Sequence, residues 1–320
     1  MKRFLVFVLI IFVVIMILPA VVFLVPDKAE EAPISDSEQA SSVDKISVYI
    51  KEEDRVEEMD TMQYLKEVVA AEMPVDFHDE ALKAQAVAAR TYMVNRRNNG
   101  GTDLHKGAVI CTDSTHCKAW ISEEKRKELW ADASDEKREK ISRAVEETDG
   151  VIITYEKEPI SAVFHSTSSG MTENAEDVWG GSVPYLVSVE SPGDAESPKF
   201  SSDARFSVSE FRTIAEKNIS GIDWENGNFS EILRSNAGGI RSLKIGGVAI
   251  GGTTFRFIFG LRSTNVELTE KDGEIVMSAK GYGHGVGMSQ YGANYLANAG
   301  KSYEEILKTY YTGVEVGRVY

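Results

Sequence analysis

The sequence predicts an α+β protein: a single-pass N-terminal transmembrane helix, then an ectodomain of mixed helices and antiparallel sheet built around a substrate cleft. Three observations carry this. Residues 4 to 25 of "MKRFLVFVLIIFVVIMILPAVVFLVPDKAEE" hold no charge and as a helix would reach about 33 Å, enough for a bilayer core. Further on, apolar residues recur at 62, 65, 68, 69 and 73, then at 82, 86, 89 and 93, which is the spacing of one helix face. Period-two stretches such as "ISVYIK", and paired runs meeting at 156–159 and at Asp272-Gly273, read as strands and antiparallel hairpins.

Lys2 and Arg3 precede the apolar run and an acidic stretch follows it, so the N-terminus stays cytoplasmic and everything after Pro26 is exported. The run is long for a cleaved signal peptide and no small-x-small site follows, so residues 1–25 are read as a cytoplasmic stub and an uncleaved anchor in the cell membrane. Residues 26–43 have almost nothing to bury and read as a flexible tether. The ectodomain, 44–320, is long enough to bury a core without cysteine staples.

Within it, Pro74 stops the first helix, and Asp76 or His78 can cap the second, which "NNGG" ends. A polar loop follows at 102–118, then charged helices at 122–131 and 135–147 and the hairpin "GVIITYEKEPISAVFHS". The stretch 191–240 is weakly periodic apart from a helix at 208–218 and reads as an insertion or small lobe. Strands around "RSLKI" and "VAI", a short helix in "TTFRFIFG", a glycine-rich loop "GYGHGVGMSQ" running into a helix, and a last helix boxed by Ser302 and Glu305 complete the chain.

With 35 basic residues against 50 acidic, the net charge is -15, which disfavours nucleic acid as a partner. One acid stands out. Glu72 sits among Ala70, Ala71, Met73 and Pro74 at a helix C-terminus, with no Lys or Arg within five residues. Desolvation and the negative end of the helix dipole both raise a carboxyl pKa there, as a glycosidic-bond acid requires, although an exposed glutamate would read the same way.

His105, Cys111, His116 and Cys117 form a Cys2His2 set within thirteen residues, suited to one structural zinc ion. A Cys111–Cys117 disulfide explains the spacing equally well in an exported protein. The glycine-rich loop suggests a phosphate cradle only weakly, since no Walker lysine follows. His284, Ser289 and Gln290 within it could bind sugar hydroxyls or hold a tight turn. Gln85 and Arg90 follow Glu72 on the next helix, and Arg90 could pair with a substrate carboxylate or an internal acid. His165, Ser168 and Thr172 could face substrate, but no G-x-S-x-G elbow accompanies them. Trp120, Trp130, Trp179 and Tyr185 read as core residues rather than sugar platforms.

The stretches "AAEMP", "EALKAQAVAARTY", "SGMTENAEDVWGG", "PYLVSV" and "GYGHGVGMSQYGA" resemble, in this order, the sequence blocks of the stage II sporulation protein D family. The resemblance runs from about residue 60 to the C-terminus and is weakest at 195–240. It implies a membrane-anchored lytic transglycosylase on the mother cell's engulfing membrane, which cuts MurNAc–GlcNAc bonds of peptidoglycan strands already stripped of stem peptides. It makes Glu72 the catalytic acid and favours zinc on His105, Cys111, His116 and Cys117 near the active site. It also implies stage II sporulation proteins P and M as partners; the residues themselves offer Gln85, Arg90, Ser168, His284 and Gln290 as expected substrate-binding groups. Two competing readings are a noncatalytic activator of a cell-wall amidase, because amidase enhancers share the domain, and a hydrolytic muramidase using Asp76, Asp79 or Glu80 as a second carboxylate.

Overall fold

The computed structural model describes residues 44–100, 103–131 and 134–318. The expected anchor and tether lie outside them, and no helix among the described residues is long and apolar enough to cross a membrane. Strand β1 (Lys45–Ile50) buries Ile46, Val48 and Ile50 on one face and pairs antiparallel with β2 (Arg55–Asp60). The second of these strands escapes a hydrophobicity reading because "RVEEMD" lacks apolar alternation: it is an edge strand, largely exposed.

Asp60 then caps α1 (Thr61–Glu72), its carboxylate accepting from the Gln63 amide at 2.7 Å. The helix cannot continue past Met73, because the residue before a proline is pushed into extended geometry, and Met73 is extended. His78 caps α2 (Asp79–Asn99), Nδ1 accepting from Glu80 N. Alanines 81, 84, 86, 88 and 89 are all buried, because α2 is wrapped on several sides by other elements, and side chains that small let their backbones come close.

A short β3 (Ile110–Cys111) lies parallel on the free edge of β1. Helices α3 (Glu123–Trp130) and α4 (Ser134–Glu147) follow. Strands β4 (Val151–Tyr155) and β5 (Glu158–Pro159) form the expected hairpin, whose turn residues Glu156 and Lys157 both have positive φ. After β6 (Phe164–His165) a loop leads to α5 (Ala175–Trp179).

The chain then builds a second core from β7 (Ser201–Ser207), α6 (Val208–Asn218), β8 (Phe229–Arg234), β9 (Ile240–Ile245), β10 (Val248–Gly251), α7 (Gly252–Ile258), β11 (Val266–Lys271) and β12 (Glu274–Lys280). Its two antiparallel sheets run β11-β12-β7 and β10-β9-β8, and Phe211 stacks on Phe259 between them. Residues from Phe211 to Ala279 share this core, so the weakly periodic stretch 191–240 is only its first part. The extent is decided by pairing: Ser201 stands opposite Lys280, across most of the lobe's sequence.

The chain returns to the first core through β13 (Met288–Ser289), parallel to β6, then α8 (Gln290–Asn298), α9 (Tyr303–Tyr310) and β14 (Glu315–Arg318), which pairs with β4. Ser302 and Glu305 form the expected capping box.

Candidate active site

A cleft of about 740 Å³ lies where the end of α1, the loop after Cys117, β6, α5, α7 and the glycine-rich loop meet. Glu72, the last residue of α1, lines it, and among the described residues that line the cleft Glu72 is the sole carboxylate. Its Oε1 accepts a hydrogen bond from the Ala119 amide at 2.7 Å. Burial raises its pKa above the usual carboxylate range, against the opposing pull of the Lys118 ammonium, the Ala119 N–H and the Gln290 amide. The local reason is the α1–Pro74–α2 joint, which ends the helix with this side chain turned into the fold.

Lys118 is a site residue that the sequence did not reveal. It is buried, with Nζ 3.6 Å from the Phe164 ring centroid and 4.3 Å from that of Tyr92. Burial pulls its pKa down to about 8, while the Glu72 carboxylate favours its charged form. It is Glu72's charge partner but stands 46 positions away, where no local window detects it; its one sequence signal is its place directly after Cys117.

Of the expected substrate-binding residues, His284 and Gln290 line the cleft. The His284 ring lies 5.2 Å from that of Trp179 and 5.6 Å from that of His165, and its Nδ1 accepts from the Val286 amide. Desolvation lowers the pKa of both histidines, that of His165 to about 4, so both are neutral at neutral pH. The other three do not reach the cleft. Gln85 is fully buried behind Gln290, their amides 3.4 Å apart. Ser168 is buried with Oγ 2.8 Å from His165 Nε2. Arg90 is spent inside the fold, donating to the carbonyls of Thr148, Val145 and Val151 just beyond and at the end of α4, so it pairs with neither a substrate carboxylate nor an internal acid.

Trp179 also departs from expectation. It is no core residue but 49% exposed at the cleft. By contrast, Trp120 is partly buried, and its indole donates to Glu67. Asp76 and Asp79 are exposed and Glu80 accepts from Lys83 and the Tyr303 amide, so none of the three lines the cleft. The glycine-rich loop is a packing device. Gly281, Gly283, Gly285 and Gly287 all have positive φ, and a Cβ on Gly287 would lie 2.2 Å from the Val163 carbonyl oxygen.

Beside the cleft, His105, Cys111, His116 and Cys117 converge, their ligand atoms all within 4.8 Å of one another. His105 follows from a 3-10 turn, Cys111 from β3 on the β1 edge, and His116 and Cys117 from a turn whose amides both bond to the Asp113 carbonyl. Both cysteines are free thiols. His105 Nε2 lies 3.0 Å from His116 Nδ1 and 3.3 Å from Cys117 Sγ, and Cys111 Sγ lies 3.5 Å from His116 Nδ1. Tetrahedral zinc with ligands at about 2.0–2.3 Å sets ligand atoms about 3.3–3.8 Å apart, so the four donors fit that ion. The Cys111 hydrogen bond and the two imidazoles hold the Cys117 thiol well below its ordinary pKa, toward the thiolate that a metal needs.

The family model described as SpoIID, stage II sporulation protein, matches residues 49–155. The chain is 41% identical over 273 residues to the stage II sporulation protein D of Bacillus amyloliquefaciens, covering 85% of this chain and 78% of that protein. Identity to the Bacillus subtilis (strain 168) stage II sporulation protein D is 38% over the same shares. An amidase enhancer of Bacillus subtilis (strain 168) is 28% identical over 300 residues, 78% of this chain but 39% of that longer protein. The chain therefore belongs to the stage II sporulation protein D family.

Proposed function

We propose that this protein is a lytic transglycosylase that cuts the MurNAc–GlcNAc bonds of peptidoglycan glycan strands and leaves 1,6-anhydroMurNAc ends. The observation that carries the reading is one desolvated carboxylic acid, Glu72, in a cleft that no second carboxylate among the described residues lines. A hydrolase of the usual two-carboxylate kind needs a partner about 5–9.5 Å away, either to attack the sugar or to activate water. A transglycosylase needs none, because the substrate supplies its own nucleophile.

In this mechanism protonated Glu72 donates to the glycosidic oxygen as the C1–O bond of the muramyl residue breaks, and the departing GlcNAc keeps that proton on its O4. Glu72, now a carboxylate, accepts the proton of the muramyl C6 hydroxyl as O6 bonds to C1. The acid returns to its starting state, with no water consumed. The Ala119 amide orients the carboxyl group, and Lys118 stabilises the carboxylate form that exists between the two transfers. Neutral His284 and the Gln290 amide supply hydrogen-bonding groups for sugar hydroxyls or acetamides.

A zinc ion on His105, Cys111, His116 and Cys117 would have four protein ligands and would be structural, tying the turn that carries Lys118 and Ala119 to β3. The same proposal places the protein in the cell membrane through its N-terminal run, its ectodomain on peptidoglycan beside stage II sporulation proteins P and M.

The test is product analysis. Digestion of purified glycan strands with the wild-type protein should release fragments ending in anhydromuramic acid, and Glu72→Gln should release none at a comparable rate. Reducing ends would instead mean a muramidase. Strand binding without cleavage would favour the second reading, an activator of an amidase, which the likeness to an amidase enhancer supports.

A further inference from the structure

In the sheet ordered β2-β1-β3, the outer edge of β2 pairs with no other strand among the described residues. The ladder decides which of its backbone groups face outward. Thr61 N donates to the Asp44 carbonyl at 2.9 Å, and every second pair of an antiparallel ladder bonds alike, so Arg55, Glu57 and Met59 turn their N–H and C=O groups to β1. The other edge of β1 agrees, since its Ser47 and Tyr49 carbonyls accept from Val109 and Thr112, which flank β3. Val56 and Glu58 therefore point their N–H and C=O groups away from the sheet, where no group among the described residues bonds to them.

A groove of about 460 Å³ runs along this edge, between β2 and the start of α3. Glu57, Glu58, Met59 and Asp60 all line it, and because successive side chains of a strand point to opposite faces, a groove that meets four in a row follows the edge. Among the described residues that line it, seven are carboxylates and Arg55 is the sole cation, already paired with Glu53 and Glu57 at 2.6 Å each. Glu58 and Glu124 have no ion-pair partner among those residues. Outward N–H and C=O groups at strand spacing are answered by another polypeptide strand, and the carboxylates select its charge. A second copy of this chain, at net charge -15, would bring the same acids to the same edge. The chain's own residues 26–43 carry five acids against Lys28 alone, so they do not suit it either. Charge on an open edge protects it from unwanted pairing, but the field that repels an acidic strand attracts a basic one.

We propose that the β2 edge docks an extended basic segment of a partner protein, which joins the sheet as a further strand beside Val56 and Glu58 and sets Lys or Arg side chains at alternate positions among the groove's carboxylates. Backbone pairing supplies the affinity and the alternating charge supplies the choice of partner. The groove and the Glu72 cleft share no lining residue, so this goes beyond the glycan reading and stands or falls without it.

The probe is a blocked octapeptide of alternating lysine and threonine, titrated by calorimetry onto the full chain in nonionic detergent. It should bind with a Kd of about 100 μM or tighter that weakens as sodium chloride rises, while the glutamate–threonine counterpart does not bind. Methylating every backbone nitrogen of the lysine peptide keeps its charge, removes its donors and should cost about tenfold or more. Reversing two groove charges with Glu58→Lys and Glu124→Lys should also cost about tenfold. Val56→Pro deletes one outward N–H at an edge position, where proline is tolerated, and should cost about threefold or more. Melting curves verify that both proteins fold; if the proline variant does not, the charge-reversed protein and the methylated peptide decide. Failure of the lysine peptide to bind at about 1 mM overturns the proposal. Equal affinity for the methylated peptide overturns it too, because charge would then be adsorbed without strand pairing. So does displacement by calcium chloride beyond that by sodium chloride at equal ionic strength, which would make the groove a cation site.

Discussion

Replacing Glu72 with Gln removes one proton and little else. The amide keeps the volume of the acid, and its oxygen can still accept from the Ala119 N–H that now meets Oε1 at 2.7 Å. Substrate affinity should therefore change by less than about twofold, the effect falling on the chemical step. General acid–base catalysis by one group is worth about 10²–10⁴-fold. On the proposed mechanism a single side chain serves both proton transfers, and no other carboxylate among the described residues lines the cleft to substitute, so the loss in kcat should lie near the top of that range, about 5 kcal/mol of barrier. The pH profile gives a second reading of the same group. Burial raises the Glu72 pKa, and the acid must enter the cycle protonated, so kcat/KM should fall as pH rises through that raised value. The unfolded chain releases this proton at the lower, ordinary carboxylate pKa. Stability therefore declines as pH rises from the ordinary value through the raised one, and the Gln variant should lose that decline in thermal melts. Steady-state assays on defined glycan strands across pH, with melting curves in the same buffers, measure all three quantities. A Glu72→Gln protein within about threefold of wild type would refute the assignment.

Lys118→Met takes away the charge that most favours ionised Glu72, so the alkaline limb of the wild-type pH profile should move to higher pH, with kcat lower below it; an unmoved limb would detach Lys118 from the acid. His105→Ala should release zinc, lower the melting temperature and reduce activity together, while wild-type protein should give near-stoichiometric zinc by elemental analysis and two reactive thiols after chelation and unfolding. Metal-free protein without reactive thiols would mean a disulfide instead. Arg90→Met should orphan the buried carbonyls of Val145, Thr148 and Val151 and cost about 3 kcal/mol or more, seen in denaturant titration, with KM unchanged in the protein that still folds. A raised KM at unchanged stability would return Arg90 to the substrate.

The sequence determined the local grammar of this protein. Capping at Ser302, the stop at Pro74, the turn at Asp272-Gly273 and the periods of α1 and α2 are all interactions between near neighbours in the chain. The oddity of Glu72 is equally local, because its setting between an alanine run and a proline is written beside it. The four prospective metal ligands fall within one short loop, so their chemistry is legible too, though spacing alone left zinc and a disulfide level. What tertiary structure decided were relations between distant segments. Only packing brings Lys118 to Glu72, turns Trp179 outward, spends Arg90 on the end of α4, and hides Gln85 and Ser168 behind the cleft wall. Likewise the second lobe's extent follows from the pairing of β7 with β12, which no window of sequence contains. Helix caps and turns depend on a few adjacent torsions, whereas a cleft is a boundary condition on the whole fold: burial and charge partnership exist only once far-separated surfaces have closed on one another.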